Sequence, residues 1–378
     1  MTSQRSYRIT LLGDYSNLHS QLGRTLRTMG HEVTVVSAGS GFQDTVRDVN
    51  IHRYPGKIGG VILTLDTLYG PLSRHLKGND IVVLQNPNFL TLKPRRLRYI
   101  FDRLKGENRS VFLTCGGTDP RFLRECLDAS SRLEYSEFRI NGLPGPFALE
   151  QPDYIRRYTT SEMCAFCDYV YDNIDGAVTA LYEYDVAARR YLGDEKTAYG
   201  GLPIDTDRIK FTPMEADPEC VRLFLGRHRG RLVEKGTDLL EEASLRVCRM
   251  MPGRVELKIV ENLPYSEYID TMCSSHILLD QIYSYTPATN ALIGMAHGLC
   301  VVSGGEADFY DFIGEKDNRP ILNASTDVDG LTELLAEACS RPENLAERGR
   351  RSREFVIKHN ESRKVAQRYL DFWESKLK

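Results

Sequence analysis

No run of 18 apolar residues occurs among these 378 residues, so no segment is long and apolar enough to cross a bilayer as a helix. The start, Met1 to Tyr7, lacks the apolar stretch and small-residue cleavage site of a secretory leader, and a cytoplasmic protein is expected. Neither charge sign dominates: 49 Lys and Arg stand against 52 Asp and Glu, a formal net charge of −3. No global field recruits nucleic acid, and any anion site must be local. Low-complexity tracts are missing, and 41% apolar with 27% charged residues excludes a largely disordered chain. The nine cysteines are odd in number and scattered, which suits reduced thiols better than a disulfide framework. Cys164 and Cys167 make a CxxC, but no second pair completes a zinc site.

Two signatures of common cofactor enzymes are also missing. Gly13-Asp14-Tyr15-Ser16 is not GxGxxG, so a dinucleotide-binding dehydrogenase loses its main mark. The two DxD sequences are poorly placed for a metal: Asp205-Thr206-Asp207 lies in a linker, and Asp327-Val328-Asp329 reads as a turn and helix cap. No metal site and no cofactor are expected.

The length exceeds what one hydrophobic core supports, so two domains of roughly 150–200 residues follow. Strand alternates with helix in the first half: Arg8–Gly13, a helix marked by Leu18, Leu22, Leu26 and Met29, then Val33–Val36. The unit recurs with Asp80–Leu84, a helix over Arg95–Leu104, Ser110–Thr114 and a strand near Asp175–Ala180. Such alternation implies a parallel sheet covered on both faces. Glu134 to Tyr191 is rich in aromatics, which read mostly as packing, with a secondary role as stacking walls for a sugar or lipid acceptor. Proline and acid from Leu202 to Pro218 mark a linker, after which the alternation resumes. The fold class is therefore α/β, two Rossmann-like doubly wound domains. The first is expected over 1–204 with a closing helix at about 358–378, the second over 205–357.

The most informative run is Leu223-Phe224-Leu225-Gly226-Arg227, followed by Lys235-Gly236 and a helix from about Thr237. A buried strand, a glycine that lets phosphate approach, a strand-end arginine and a lysine opening a helix look like a diphosphate clamp. Taken alone, Arg227 is also what a solvated turn looks like.

Together with Asn290 to Val302, an alanine- and glycine-rich helix before a Val-Val strand, these motifs resemble the GT-B retaining glycosyltransferases of family 4. The resemblance covers most of the chain and is sharpest in its second half. It implies a cleft between the domains, with the last helix returning to the first. It also implies transfer of a sugar from a nucleotide-diphosphate sugar to a glycan or lipid-linked acceptor, with retention and without metal. The implied catalytic residues are Asp119, Arg227 and Lys235. The implied donor-binding residues are Gly13, Arg227, Lys235, Glu261, Asn262, Asp280, Tyr285, Thr286, Ala288, Thr289 and Asn290. Asp14, His19, Gly116 and Gly117 are the acceptor-side candidates. The chain departs from the family where two glutamates stand eight positions apart, since Tyr285 and Ile293 occupy those places. Tyr285 or its loop is a candidate replacement, Asp280 a nearby acid, and Glu306 a further one. Asp119 followed by Pro120 also has the sequence of a plain helix N-cap. A sugar-nucleotide epimerase of the same fold and a degenerate nucleotide-sugar-binding subunit are the alternatives. The helix Arg95–Lys105 shows five basic residues outside its apolar face, which suits peripheral contact with an anionic membrane.

Overall fold

The computed structural model describes residues 5–39, 45–215 and 217–377, so the readings on 1–4 and on Ala216 lie outside it. Two compact units form: Met1–Asp128, Asp153–Pro203 and Ser362–Lys378 make the first, and Ala129–Pro152 with Ile204–Glu361 the second.

The first unit is built on β1 (Arg8–Leu12), β2 (Glu32–Ser37), β3 (Val49–Asn50), β4 (Ile81–Leu84), β5 (Ser110–Cys115), β6 (Gly176–Thr179) and β7 (Thr197–Tyr199). Their order is β3-β2-β1-β4-β5-β6-β7, and all pairs are parallel. Every residue of β4, β5 and β6 is buried, which is why these strands read as unbroken apolar runs rather than alternating ones. The final helix, Ser362–Lys376, belongs to this unit and buries Tyr369 and the single tryptophan, Trp373, completely.

In the second unit, β8 (Val221–Gly226), β9 (Val255–Val260), β10 (Ile277–Leu279), β11 (Cys300–Ser303) and β12 (Leu322–Asn323) run parallel in the order β9-β8-β10-β11-β12. Lys235 does not open the following helix as expected. It ends a short turn, Leu232–Lys235, and Gly236 at φ +66° separates it from the helix Thr237–Met250. A side chain on Gly236 would meet Ile282 at 2.3 Å, so the left-handed turn and the close approach both select glycine.

Two features depart from the sequence reading. Ala129–Pro152, expected in the first domain, packs in the second unit as a strap with a small antiparallel hairpin, Arg139–Ile140 with Leu143–Pro144. Phe138 and Phe147 meet at 5.7 Å and are both buried. A helix over Gly56–Tyr69, unmarked in the sequence analysis, places Leu63 and Leu68 in the core of the first unit.

Candidate functional site

In each sheet the first strand has its successor on one side and a later strand on the other. The loops beyond the carboxyl ends diverge there and open a crevice, the usual ligand position in such sheets. In the first unit the divergence lies between β1 and β4, at Gly13 and Gln85. In the second it lies between β8 and β10, at Arg227 and Asp280.

The second rim gathers most of the expected donor residues. Gly226 pairs in register with Val260, and Leu225 with Leu279, so Arg227, Glu261 and Asp280 follow three adjacent strand ends. The Arg227 guanidinium donates from Nε to Glu261 Oε1 at 2.5 Å and from Nη1 to Glu241. Lys235 Nζ lies 3.7 Å from Asp280 Oδ1. Asp280 is buried and is held by Asn290 Nδ2 at 3.0 Å and the Ser303 hydroxyl at 3.3 Å. Asn290 in turn accepts from the Tyr268 hydroxyl at 2.9 Å. Tyr268 fills the space beside Gly226, where a Cβ would come within 2.5 Å of its ring. A continuous polar chain thus runs from Tyr268 through Asn290 to Asp280 and Lys235. Asn262, exposed beside Glu261, holds φ +53°, an uncommon left-handed conformation for a residue with a side chain. The helix Thr289–His297 begins at Ala288 with no acidic residue in its own first turn, and the Asp280 carboxylate, bonded to Asn290, stands at its N-terminal end. Thr286, just before it, is buried.

Tyr285 has a structural task in the second unit. Its hydroxyl accepts from the Glu134 amide at 2.5 Å, and its ring stacks on Tyr135 at 4.8 Å. The Tyr135 hydroxyl donates to Glu306 Oε1 at 2.8 Å, and Asn323 Nδ2 donates to the same oxygen at 2.9 Å. Tyr285 and Glu306 therefore fasten the strap. Burial pushes the Tyr285 phenol up to about 12.

On the first rim, the expected polar candidates are committed to structure. Asp119 is 2% exposed; Oδ1 accepts from the Arg121 and Phe122 amides at 2.7 and 2.9 Å, and Oδ2 accepts from the Tyr171 hydroxyl at 3.0 Å. Burial pushes its carboxyl above the usual range against the pull of those bonds. Asp119 takes the helix N-cap place that its sequence offered. Asp14 likewise accepts from the His19 amide at 2.9 Å and the Ser20 hydroxyl at 2.6 Å. His19 is fully buried between the Gly13 carbonyl at 2.7 Å and Thr114 Oγ1 at 3.0 Å. Gly116 and Gly117 do not leave open space: a Cβ on the first would lie 2.7 Å from Gln85 Nε2, and on the second 3.1 Å from the Tyr15 ring.

Gln85 is the residue sequence reasoning missed. It is 2% exposed at the divergence of β1 and β4, wedged between Gly13 and Gly116, and neither amide atom has a hydrogen-bond partner in the structure. An unsatisfied buried amide costs about 1–3 kcal/mol, and such exceptions ask for an explanation. A polar Gln-Asn pair directly after the apolar β4 was the available signal.

Burial, partly offset by the nearby Asp14 charge, lowers the His19 pKa from 6.5 to about 4. A histidine held neutral in the fold contributes stability that is complete above pH 6.5 and is lost as pH falls toward 4, because the unfolded chain takes up the proton first. At about 1.4 kcal/mol per pH unit the contribution is about 3 kcal/mol. His276, also lowered to about 4 chiefly by burial, titrates in the same window. Melting temperature followed from pH 7 to pH 4 should fall less steeply in His19→Gln than in the wild type, and equal slopes would count against the burial argument.

Solved structures share this architecture. Sucrose-phosphate synthase from Thermosynechococcus elongatus is similar with a TM-score of 0.64 and 12% identity, over 97% of this chain and 98% of that one. HepE of Anabaena in complex with UDP-glucose gives 0.61 at 10% identity, over 98% of this chain and all of that one. The chain has the GT-B fold. A glycosyltransferase from Rickettsia africae gives 0.57 at 12% identity over 99% of both chains. No protein-family model matches the sequence, and no curated protein does.

Proposed function

We propose that this GT-B chain is a glycosyltransferase that moves a sugar from a nucleotide-diphosphate sugar to a glycan or lipid-linked acceptor, with retention. The observation that carries the reading is the second rim, where Arg227, Lys235 and the start of the Thr289 helix follow neighbouring strand ends at the divergence of β8 and β10. As a glycosidic bond to phosphate breaks, negative charge grows on the departing diphosphate, and preorganised cations and helix N–H groups stabilise it. In this reading these groups take the part that a divalent metal would otherwise play. The structures of Anabaena HepE with UDP-glucose support the choice of donor class. Retention is favoured because an inverting reaction needs a general base. Asp14, His19 and Asp119, the candidates for one on the first rim, are each bound up in hydrogen bonds at both polar atoms.

The first test is a thermal-shift screen with UDP, UDP-sugars and GDP-sugars, followed by an assay of the product's anomeric configuration. A donor at a hundredfold excess over its dissociation constant should add about 2.7 kcal/mol of stability. No shift with any nucleotide would defeat the proposal. Conversion of a sugar nucleotide without an acceptor would point to epimerisation instead.

Gln85 is the acceptor-side residue this reading favours, because its unsatisfied amide at the β1/β4 divergence suits a sugar hydroxyl. Gln85→Leu should raise the acceptor KM about tenfold, leave the donor KM unchanged, and leave the melting temperature equal or higher, since an unpaired amide is removed. A drop in donor affinity would place Gln85 elsewhere in the reaction.

A further inference from the structure

The helix Gly56–Tyr69 is apolar on both sides. One side reaches the core of the first unit through Leu63 and Leu68, while Ile58, Ile62, Leu65 and Tyr69 form a stripe on the other at 75, 44, 53 and 65% exposure. Their spacing of four, three and four residues places them on one helical face. These four, with Tyr54, Val61 and Tyr99, are seven of the sixteen large apolar side chains exposed among the described residues. A concentration of this kind marks an interaction surface rather than scattered surface apolars.

The surroundings say what covers it. The neighbouring helix Pro94–Glu107 begins with Arg95, Arg96 and Arg98, which line a depression of about 540 Å³ with Thr64, Tyr99 and Asp102. Tyr99 and Tyr69 are neighbours, so the aromatic ends of the two helices stand side by side. Arg53 and Lys57 stand exposed at the other end of the stripe. Asp66 and Asp102 are the acids among these residues. These two carboxylates count against the basic character, but Arg53, Lys57, Arg95, Arg96 and Arg98 outnumber them, so the face is net basic.

We propose that this face binds the surface of an anionic lipid bilayer, with Ile58, Ile62, Leu65 and Tyr69 entering the headgroup and acyl boundary and the arginines meeting lipid phosphates. An apolar stripe edged by cations and aromatic rings fits that boundary. The fourteen-residue helix is too short to span a membrane, which agrees with an in-plane position. A second copy of the chain fits poorly, because two such faces would bring like charges together. The inference stands apart from the sugar-transfer reading, since it uses neither rim.

The test is co-sedimentation of the full chain with vesicles of phosphatidylcholine alone and of equal parts phosphatidylcholine and phosphatidylglycerol, at low and high salt. Binding to the mixed vesicles, weakened by salt and at least tenfold weaker on neutral ones, is expected. The double variant Ile62→Glu/Leu65→Glu should lower binding more than tenfold with an unchanged circular dichroism spectrum, because both positions are exposed. Arg95→Glu/Arg98→Glu, which changes two exposed side chains and gives up the stacking of Arg98 on Tyr169, should lower it by about fivefold or more for each arginine, with the circular dichroism spectrum again unchanged. If the first variant fails to fold, the second decides. Absence of binding to anionic vesicles overturns the proposal. So does a wild-type dimer that Ile62→Glu/Leu65→Glu makes monomeric while vesicle binding stays the same.

Discussion

Arg227→Ala is expected to lower kcat/KM for sugar transfer by about two orders of magnitude, and Lys235→Ala to do the same. Removal of one preorganised charged contact to a developing anion costs about 3 kcal/mol in the transition state. At Arg227 the loss has a second component. Glu241 and Glu261 both hold the guanidinium, and without it two carboxylates face the proposed diphosphate site. Folding should change little, since the arginine and both acids are about a fifth to a quarter exposed and such pairs contribute at most about 1 kcal/mol. Arg227→Lys should fall between, because the charge is kept while the two-pronged geometry is lost. Lys235→Ala leaves Asp280 with its bonds from Asn290 and Ser303, so that acid is not stranded. Steady-state kinetics beside thermal melts separate the two effects. Wild-type kcat/KM in both alanine variants would remove the foundation of the transferase reading.

The sheets were legible because parallel strands covered on both faces have to be apolar throughout, as Ile81–Leu84 and Leu223–Leu225 are. The rim was legible for the same reason: once strand ends are known, Arg227, Glu261 and Asp280 must follow them. Local chemistry also carried through at Asp327, whose Oδ1 accepts from the Gly330 amide at 2.8 Å as a helix cap. The strap was not legible, because Tyr135 and Tyr285 meet across 150 residues and no local pattern encodes which sheet a short aromatic segment will join. The glutamate missing at position 285 makes sense only with that contact in view. The Gly56–Tyr69 helix escaped notice because apolar residues on two faces erase the 3.6-residue period. Asp119 shows a different limit. One aspartate before a proline serves a cap or a cleft equally well in sequence, and only the positions of Tyr171, Arg121 and Phe122 show that the cap is made.

Gly304→Ala should unfold the second rim's far side while leaving its cations untouched. A Cβ at this position, directly after β11, would lie 2.1 Å from the Ser284 carbonyl oxygen and 2.6 Å from its carbonyl carbon. Backbone cannot swing aside as a side-chain tip can, so Ser284 and Tyr285 must move. That displacement reaches the Tyr135–Tyr285 stack and the Tyr135–Glu306 bond, both of which fasten the strap. Overpacking of this kind costs about 1–3 kcal/mol, and at about 2–4 °C for each kcal/mol in a domain of this size the melting temperature should drop by several degrees. Limited proteolysis should cut within 129–152 in the variant faster than in the wild type. Gly106→Ala supplies the opposite sign. No atom lies within 4 Å of its would-be Cβ, and it sits inside the helix Pro94–Glu107, where alanine is favoured over glycine by about 0.5–1 kcal/mol. Should Gly304→Ala melt like the wild type with its strap equally protected, the close contact at Ser284 would not be what holds that loop in place.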